Sequence, residues 1–338
     1  MKKIINSPKD FVNDMLRGIY LAHPDELTCV ADELHVMVKK RLVPGKVGIA
    51  TGGGSGHLPL FLGYIGNGML DGCSIGEVFQ SSSAQQMLAV TKSVDSGQGV
   101  LYILGNYGGD NLNFKLSGEM ADVETSINVT SVIVKDDVAT DNPENRRGVA
   151  GIFFVYKCAG AAAAEMMNLN EVTRIAQKAA DNVRTMGIAL SPCTIPRVGH
   201  PSFEIGEDEM EIGTGIHGEP GVRRGQLTTA SEIVDEMVYP ILKDLQLPEN
   251  TEVAVLVNGL GSTPLEEQYL AYGHVHNILS ARGLKIFHAY VGEFATSMEM
   301  AGISISIFKL DEELKRLLAK PADTPFFRQS SLLSISSI

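Results

Sequence analysis

"KVGIATGGGSGH" (46–57) starts as an apolar run and finishes in a seven-residue stretch holding four glycines and a histidine. A short apolar run closed by glycines reads as a buried strand that delivers a loop. The device returns twice. "GVLYIL" (99–104) runs into "GNYGGD" (105–110), and "TSVIVK" (130–135) runs into "DDVATD" (136–141). Between the first two lies "SSAQQMLAVTKSVDSG" (82–97), where Met87, Val90 and Val94 recur at helical spacing. Strand, loop, helix, strand is the rhythm of an α/β sheet. In such sheets ligands sit beyond the carboxyl ends of the strands, which are the ends that carry these glycine loops.

Helical character follows from about Phe154 to Thr185, broken at "NLN" (168–170), where Asn170 is read as the cap of a second helix. "GIALSPCTIP" (187–196) then brings two prolines, and composition shifts to Gly, Glu and Pro through residue 226. The domain boundary is placed at Gly187, giving domains over 1–186 and 187–328 and a tail over 329–338. In the second half, Thr229 and Glu232 make a capping-box pattern, and Ile233, Met237, Ile241 and Leu245 continue one apolar face. "TEVAVLVN" (251–258), "LKIFHAYVG" (284–292) and "GISISIFKL" (302–310) read as strands, and "LEEQYLAYGHVHNILSARG" (265–283) and "DEELKRLLAK" (311–320) as helices. Both halves are therefore expected to be α/β.

The 338 residues suit two domains of ordinary size. A formal net charge of −12 argues against a nucleic-acid partner, which wants a basic face. No apolar run reaches the roughly 18–20 residues of a membrane span, and "MKKIINSPKD" (1–10) lacks the apolar core of a secretory signal. Cys29, Cys73, Cys158 and Cys193 are widely spaced, so the simplest reading is four reduced thiols in a cytoplasmic protein. No metal site is expected: His274 and His276 fall in a helix, where i and i+2 point to different faces.

A nucleotide site fails on the motifs. The dinucleotide fingerprint would need glycine where His57 or Pro59 stands, and the sole Gly-Lys pair, Gly45–Lys46, is followed by Val47. What "TGGGSGH" offers is bare amides with an imidazole beyond them, suited to a small polar ligand. "GNYGGD" ends in Asp110, which is either a turn or cap residue or, facing the same crevice as His57, half of an acid/base pair. "GTGIHGEPG" (213–221) sets His217 among four glycines. It is either an exposed turn histidine or a ring that a ligand can approach closely.

Taken in order, "GGGSGH", "GYIGNGML", "NYGGDNLNF", "RRGVAG", "GIALSPCTIP", "EMEIGTGIHGEPG" and "VLVNGLGSTPLEEQY" resemble the substrate-binding K subunit of dihydroxyacetone kinases, over residues 1–327. The resemblance implies two α/β domains with the ligand site between them, and a homodimer. It also implies that no cofactor is bound by this chain. ADP or ATP and Mg²⁺ would sit on a nucleotide-binding L-type subunit, recharged in the bacterial branch by the phosphotransferase system. In the fused, ATP-using branch a helical nucleotide domain follows, and this chain ends before one. By the same resemblance, His217 attacks the substrate ketone and holds it as a hemiaminal, a bond glycerol cannot form. A neutral imidazole does this with one nitrogen while the other bears the proton. Asp110 is the base, His57 assists proton movement and binds hydroxyls, and Gly54 and Ser55 belong to a loop that wraps the substrate.

The commonest family pattern reads G-S-G-H-E-P, F-T-S-P-T and K-N-Y-T-G-D. Here Leu58 follows His57, "FQSSS" occupies 79–83, and Gly105 and Gly108 replace lysine and threonine. A branch acting on four-carbon ketoses is more similar at these points. The alternative is a ketose-sensing paralogue that coactivates a transcription regulator; retention of His57 and Asp110 favours the enzyme.

Overall fold

The computed structural model describes residues 2–332. In chain order the elements begin α1 (Phe11–Ala22), β1 (Leu27–Val30), β2 (Glu33–Lys39), β3 (Gly48–Ser55), β4 (Gly72–Val78), α2 (Ala84–Val94), β5 (Val100–Gly105), α3 (Gly108–Thr125) and β6 (Val129–Val134). They continue α4 (Ile152–Ala164), α5 (Leu169–Asp181), β7 (Val183–Ala189), β8 (Glu209–Ile212), β9 (Arg223–Gln226), α6 (Ala230–Leu245), β10 (Glu252–Gly259), α7 (Leu265–Ala281), β11 (Lys285–Gly292), β12 (Gly302–Lys309), α8 (Glu312–Leu318), β13 (Ala322–Asp323) and β14 (Arg328–Gln329).

Two compact units emerge. The first contains residues 2–134, 154–179 and 313 onward; the second contains 135–153 and 180–312.

The first unit is built on a six-stranded sheet in the order β1-β2-β4-β3-β5-β6. β4, β3, β5 and β6 run parallel, and β1 and β2 add an antiparallel edge. Val100 to Leu104 are all buried, because a parallel strand covered on both faces has no polar side to present. α2 opens with a full capping box between Ser83 and Gln86, and Met87, Val90 and Val94 enter the core as their spacing predicts. The chain leaves β3 toward β4 on one side and returns to β5 on the other. That reversal is where a parallel sheet opens a ligand crevice at its carboxyl edge.

The second unit carries the order β11-β10-β12-β7-β8-β9. β10 and β11 are parallel, and the remaining pairs are antiparallel. α6 starts at the expected capping box of Thr229 and Glu232. Met237 and Ile241 are fully buried, while Ile233 and Leu245 flank the core.

Four expectations change. The cap of α5 is Asn168, whose Oδ1 accepts the Glu171 N–H at 3.0 Å, so the helix begins before Asn170. Helix also stops at Asp181, since Val183–Ala189 is β7, paired to β12 along its length; a cut at Gly187 would split that strand. The segment 135–153 goes with β7 for a visible reason. The buried Asp136 carboxylate accepts the N–H groups of Val149 and Gly151 at 2.8 Å and the Thr185 hydroxyl at 2.6 Å. Finally, Gln329 pairs in β14 and donates to the carbonyls of Leu318 and Lys320, and the Leu332 N–H reaches the Ala319 carbonyl, so 329–332 is packed chain. The rest of the expected tail, 333–338, lies outside the described residues.

Candidate functional site

The glycines of β3 answer to packing. A Cβ at Gly53 would lie 2.5 Å from the Phe61 ring, and one at Gly54 would lie 2.7 Å from the backbone nitrogen of Gln80. Bare backbone thus admits Phe61 and the 79–80 segment against the strand, and these residues build the wall around His57. The His57 ring is buried, stacks on Phe79 at 4.9 Å and 21°, and meets Phe61 edge-on at 6.0 Å and 83°. Phe61 and Phe79 both have positive φ, +67° and +58°. A bulky side chain rarely takes that conformation, and each instance costs on the order of 1–3 kcal/mol. Strain of this kind on both rings facing one histidine marks a built pocket.

Gly54 and Ser55 lie within β3, not in a loop. The Ser55 hydroxyl donates to the Gly76 carbonyl at 2.7 Å, and its own carbonyl accepts the Phe79 N–H at 3.0 Å. Its side chain is committed to the neighbouring strand, leaving backbone as its means of contacting a ligand.

Asp110 sits in the first turn of α3, directly after β5, and is buried. A carboxylate there is favoured by the helix dipole. The turn is braced from both sides: Asn111 donates to Asn106 Oδ1 at 2.9 Å, and Asn113 donates to the Ser82 carbonyl at 2.8 Å. Since β3 and β5 are adjacent and parallel, His57 and Asp110 follow strands that end at the same edge of the sheet. The first unit therefore carries both residues beyond the carboxyl ends of neighbouring strands. A cavity of about 710 Å³ in this unit includes neither residue; two of its charged walls are closed pairs, Lys320 with Glu165 and Arg328 with Asp323.

In the second unit, His217 lies in the turn after β8. Its backbone N–H donates to Glu219 Oε2 at 2.9 Å, and its Nδ1–H donates to Glu219 Oε1 at 2.9 Å. Gly215 makes room for this: a Cβ there would run into the Glu219 carboxylate and lie 2.9 Å from the Arg147 guanidinium. Arg147 itself donates to Asp137 Oδ2 at 2.7 Å and to the Gly213 carbonyl at 2.6 Å. Burial works to raise the Glu219 carboxyl, but the hydrogen bond and charge of His217, with Arg147 behind them, hold it down at about 2. Burial wins at Asp137, which is pushed up to about 6 against the opposing pull of Arg147. Gly213 and Gly218 take positive φ, +81° and +73°, so the glycines around His217 form the turn as well as clear its approach.

A family model, the Dak1 domain, matches residues 17–326. This chain belongs to the Dak1 domain family. It is 42% identical over 330 residues to the dihydroxyacetone-binding subunit DhaK of PTS-dependent dihydroxyacetone kinase 2 of Listeria innocua, covering 97% of this chain and 99% of that protein. It is 40% identical over 344 residues to the L-erythrulose 1-kinase of Mycolicibacterium smegmatis, covering 99% of this chain and 59% of that one. Among solved structures, the dihydroxyacetone kinase operon co-activator Dha-DhaQ superposes with a TM-score of 0.88 at 32% identity, covering 94% and 98% of the two chains.

Within this Dak1 domain, three contributors went unread in the sequence. Phe61 carries no motif, and Phe79 entered only as the first residue of "FQSSS", because their packing on His57 depends on positive φ and on glycines across the strand. Glu219 was visible inside "GIHGEPG", two residues from the histidine across one glycine, and that spacing is the signal that a carboxylate turns back onto the ring. Gly108, by contrast, is not required by its surroundings. A Cβ there would meet nothing within 4 Å.

Proposed function

We propose that this chain is the ketose-binding subunit of a dihydroxyacetone-type kinase, holding a short ketose on His217 while a terminal hydroxyl is phosphorylated. The observation that carries the reading is the match along 99% of a separate dihydroxyacetone-binding subunit. Nε2 of His217, which keeps its lone pair because Nδ1 carries the proton, adds to the ketone carbon, and the carbonyl oxygen takes a proton from solvent to become a hydroxyl. Asp110 accepts the proton of the terminal hydroxyl as that oxygen attacks phosphorus, and His57 assists. The phosphoryl group comes from a nucleotide and Mg²⁺ on a separate subunit, since this sequence holds no phosphate-cradling motif. The bacterial phosphotransferase system is the recharging route that fits a separate subunit, and we place the reaction in the cytoplasm, with the chain as a homodimer.

Mixing the chain with candidate donor subunits and each ketose, then measuring sugar phosphate, tests the reading. Product should require the donor subunit. Calorimetry of the chain alone with ATP and Mg²⁺ should show no heat of binding, and phosphorylation by the isolated chain with ATP would refute the division of labour.

For the substrate, we favour a four-carbon ketose such as erythrulose. Gly108 stands where the common pattern has threonine, it is exposed, and a Cβ there would meet nothing within 4 Å, so no neighbouring side chain fills the place of the missing one. One extra hydroxymethyl group is worth about 1–3 kcal/mol, or roughly 10–200-fold. The kcat/KM ratio of erythrulose to dihydroxyacetone should lie in that range, and Gly108→Thr should lower it; a ratio strongly favouring dihydroxyacetone would contradict the assignment.

The likeness to the co-activator supports a second reading, a ketose sensor without phosphoryl transfer. Turnover with any donor subunit decides between them.

A further inference from the structure

We propose that Glu219 is a positioning residue that keeps a proton on Nδ1 of His217 both before and after the ketose is bound, so that the adduct is an imidazolium and its formation takes up a proton. This rests on the function proposed above. Two contacts define the geometry. One carboxylate oxygen receives Nδ1–H and the other receives the backbone N–H of the same residue, both at 2.9 Å, which leaves the ring little freedom to turn over. Gly215 admits the carboxylate, and Arg147, anchored on Asp137 and the Gly213 carbonyl, stands behind it.

An ionised carboxylate has lone pairs and no hydrogen, so it can only accept. The ring nitrogen facing it must therefore carry the proton, and Nε2 is left as the nucleophile. Glu219 stays in that form throughout the neutral range.

The addition step then balances as follows. A bond forms between Nε2 and the ketone carbon, the carbonyl π bond breaks, and its electron pair goes to oxygen. That oxygen takes a proton from solvent and becomes the hemiaminal hydroxyl. In water, the N-substituted imidazolium formed would be free to give up its Nδ1 proton, and the net reaction would then be neutral. Beside Glu219 the positive ring gains a charge-assisted hydrogen bond and keeps the proton. One proton has entered from solvent and none has left.

The sign of the pH effect follows. A binding step that takes up one proton weakens as pH rises, by about tenfold in Kd per pH unit. Charged groups facing the turn include Arg147, Asp137, and Glu211 paired with Arg224. Asp137, at about 6, is already ionised in that window and adds nothing to the slope.

The test uses the full chain and dihydroxyacetone. Between about pH 7.5 and 8.5, log Kd of the wild type should rise by about one per pH unit. In Glu219→Gln the amide offers one oxygen for two N–H donors, so one of them must face an NH₂ group. The slope should fall toward zero and affinity should drop by about 10–100-fold, the loss typical when a residue orienting a functional histidine is removed. Nitrogen-15 NMR of the ligand-free ring covers a variant too weak to titrate: the signal should be that of the Nδ1–H tautomer in the wild type and of a mixture or the opposite tautomer in the variant. A flat wild-type profile with the adduct present, or a variant that keeps both the slope and the tautomer, would overturn the role of Glu219. Absence of any adduct in the wild type would instead strike at His217 itself.

Discussion

His217→Ala should form no ketose adduct and bind dihydroxyacetone with a Kd on the order of millimolar or weaker. Without the Nε2–carbon bond, a three-carbon ketose retains only hydrogen bonds to its hydroxyls, each worth about 1 kcal/mol net, and a few of these sum to about −4 kcal/mol, the millimolar range. The fold should survive with a modest loss. The ring is partly exposed in a turn, and the Nδ1–H bond to the Glu219 carboxylate that it gives up is worth about 1.5–3 kcal/mol. Calorimetry with dihydroxyacetone and a thermal melt of the same preparation separate the two effects. Unchanged affinity in a folded variant would remove the covalent link from the mechanism.

Asp110→Asn should keep the adduct and lose most turnover, by about 10²–10⁴-fold, the usual worth of a general base. The competing account is structural: an acid in the first turn of α3 stabilises the helix, and losing its charge costs about 0.3–1 kcal/mol without touching chemistry. The two accounts predict opposite patterns. A catalytic Asp110 gives a nearly normal melt, normal ketose binding and failed phosphorylation. A capping Asp110 gives a lower melting temperature with turnover intact. Asparagine is the informative substitution because it keeps size and one acceptor while removing the capacity to take a proton.

Some of this architecture is plain in the sequence because local patterns determine it. Met87, Val90 and Val94 report a helix face, Thr229 and Glu232 report a helix start, and the runs ending at Ser55 and Gly105 report strands with loops at their ends. Where reading failed, the deciding physics was not local. Val183–Ala189 looks like the end of a helical region until β12 and β8 are known to lie on either side of it. The grouping of 135–153 with β7 depends on Asp136, which closes its own segment on two of its amides and reaches Thr185, 49 residues on. Asn168 and Asn170 are equally good caps on paper, and only the backbone path chooses. In the first unit His57 and Asp110, and in the second His217, stand out through their glycines, whereas the wall of Phe61 and Phe79 depends on strained backbone that no composition signal reports. Ser55, which the resemblance places around the substrate, has its hydroxyl bound to the strand beside it, a contact that only the fold reveals.

The central claim, a ketose held covalently on His217, is tested most directly by NMR of the chain labelled with nitrogen-15 at histidine and mixed with dihydroxyacetone labelled with carbon-13 at its ketone. The account predicts that the bound carbonyl signal is replaced by a tetrahedral carbon showing one-bond coupling to a histidine nitrogen, and that His217→Ala abolishes it. A bound ketose that keeps its carbonyl signal, or a tetrahedral carbon with no coupling to nitrogen, would contradict it.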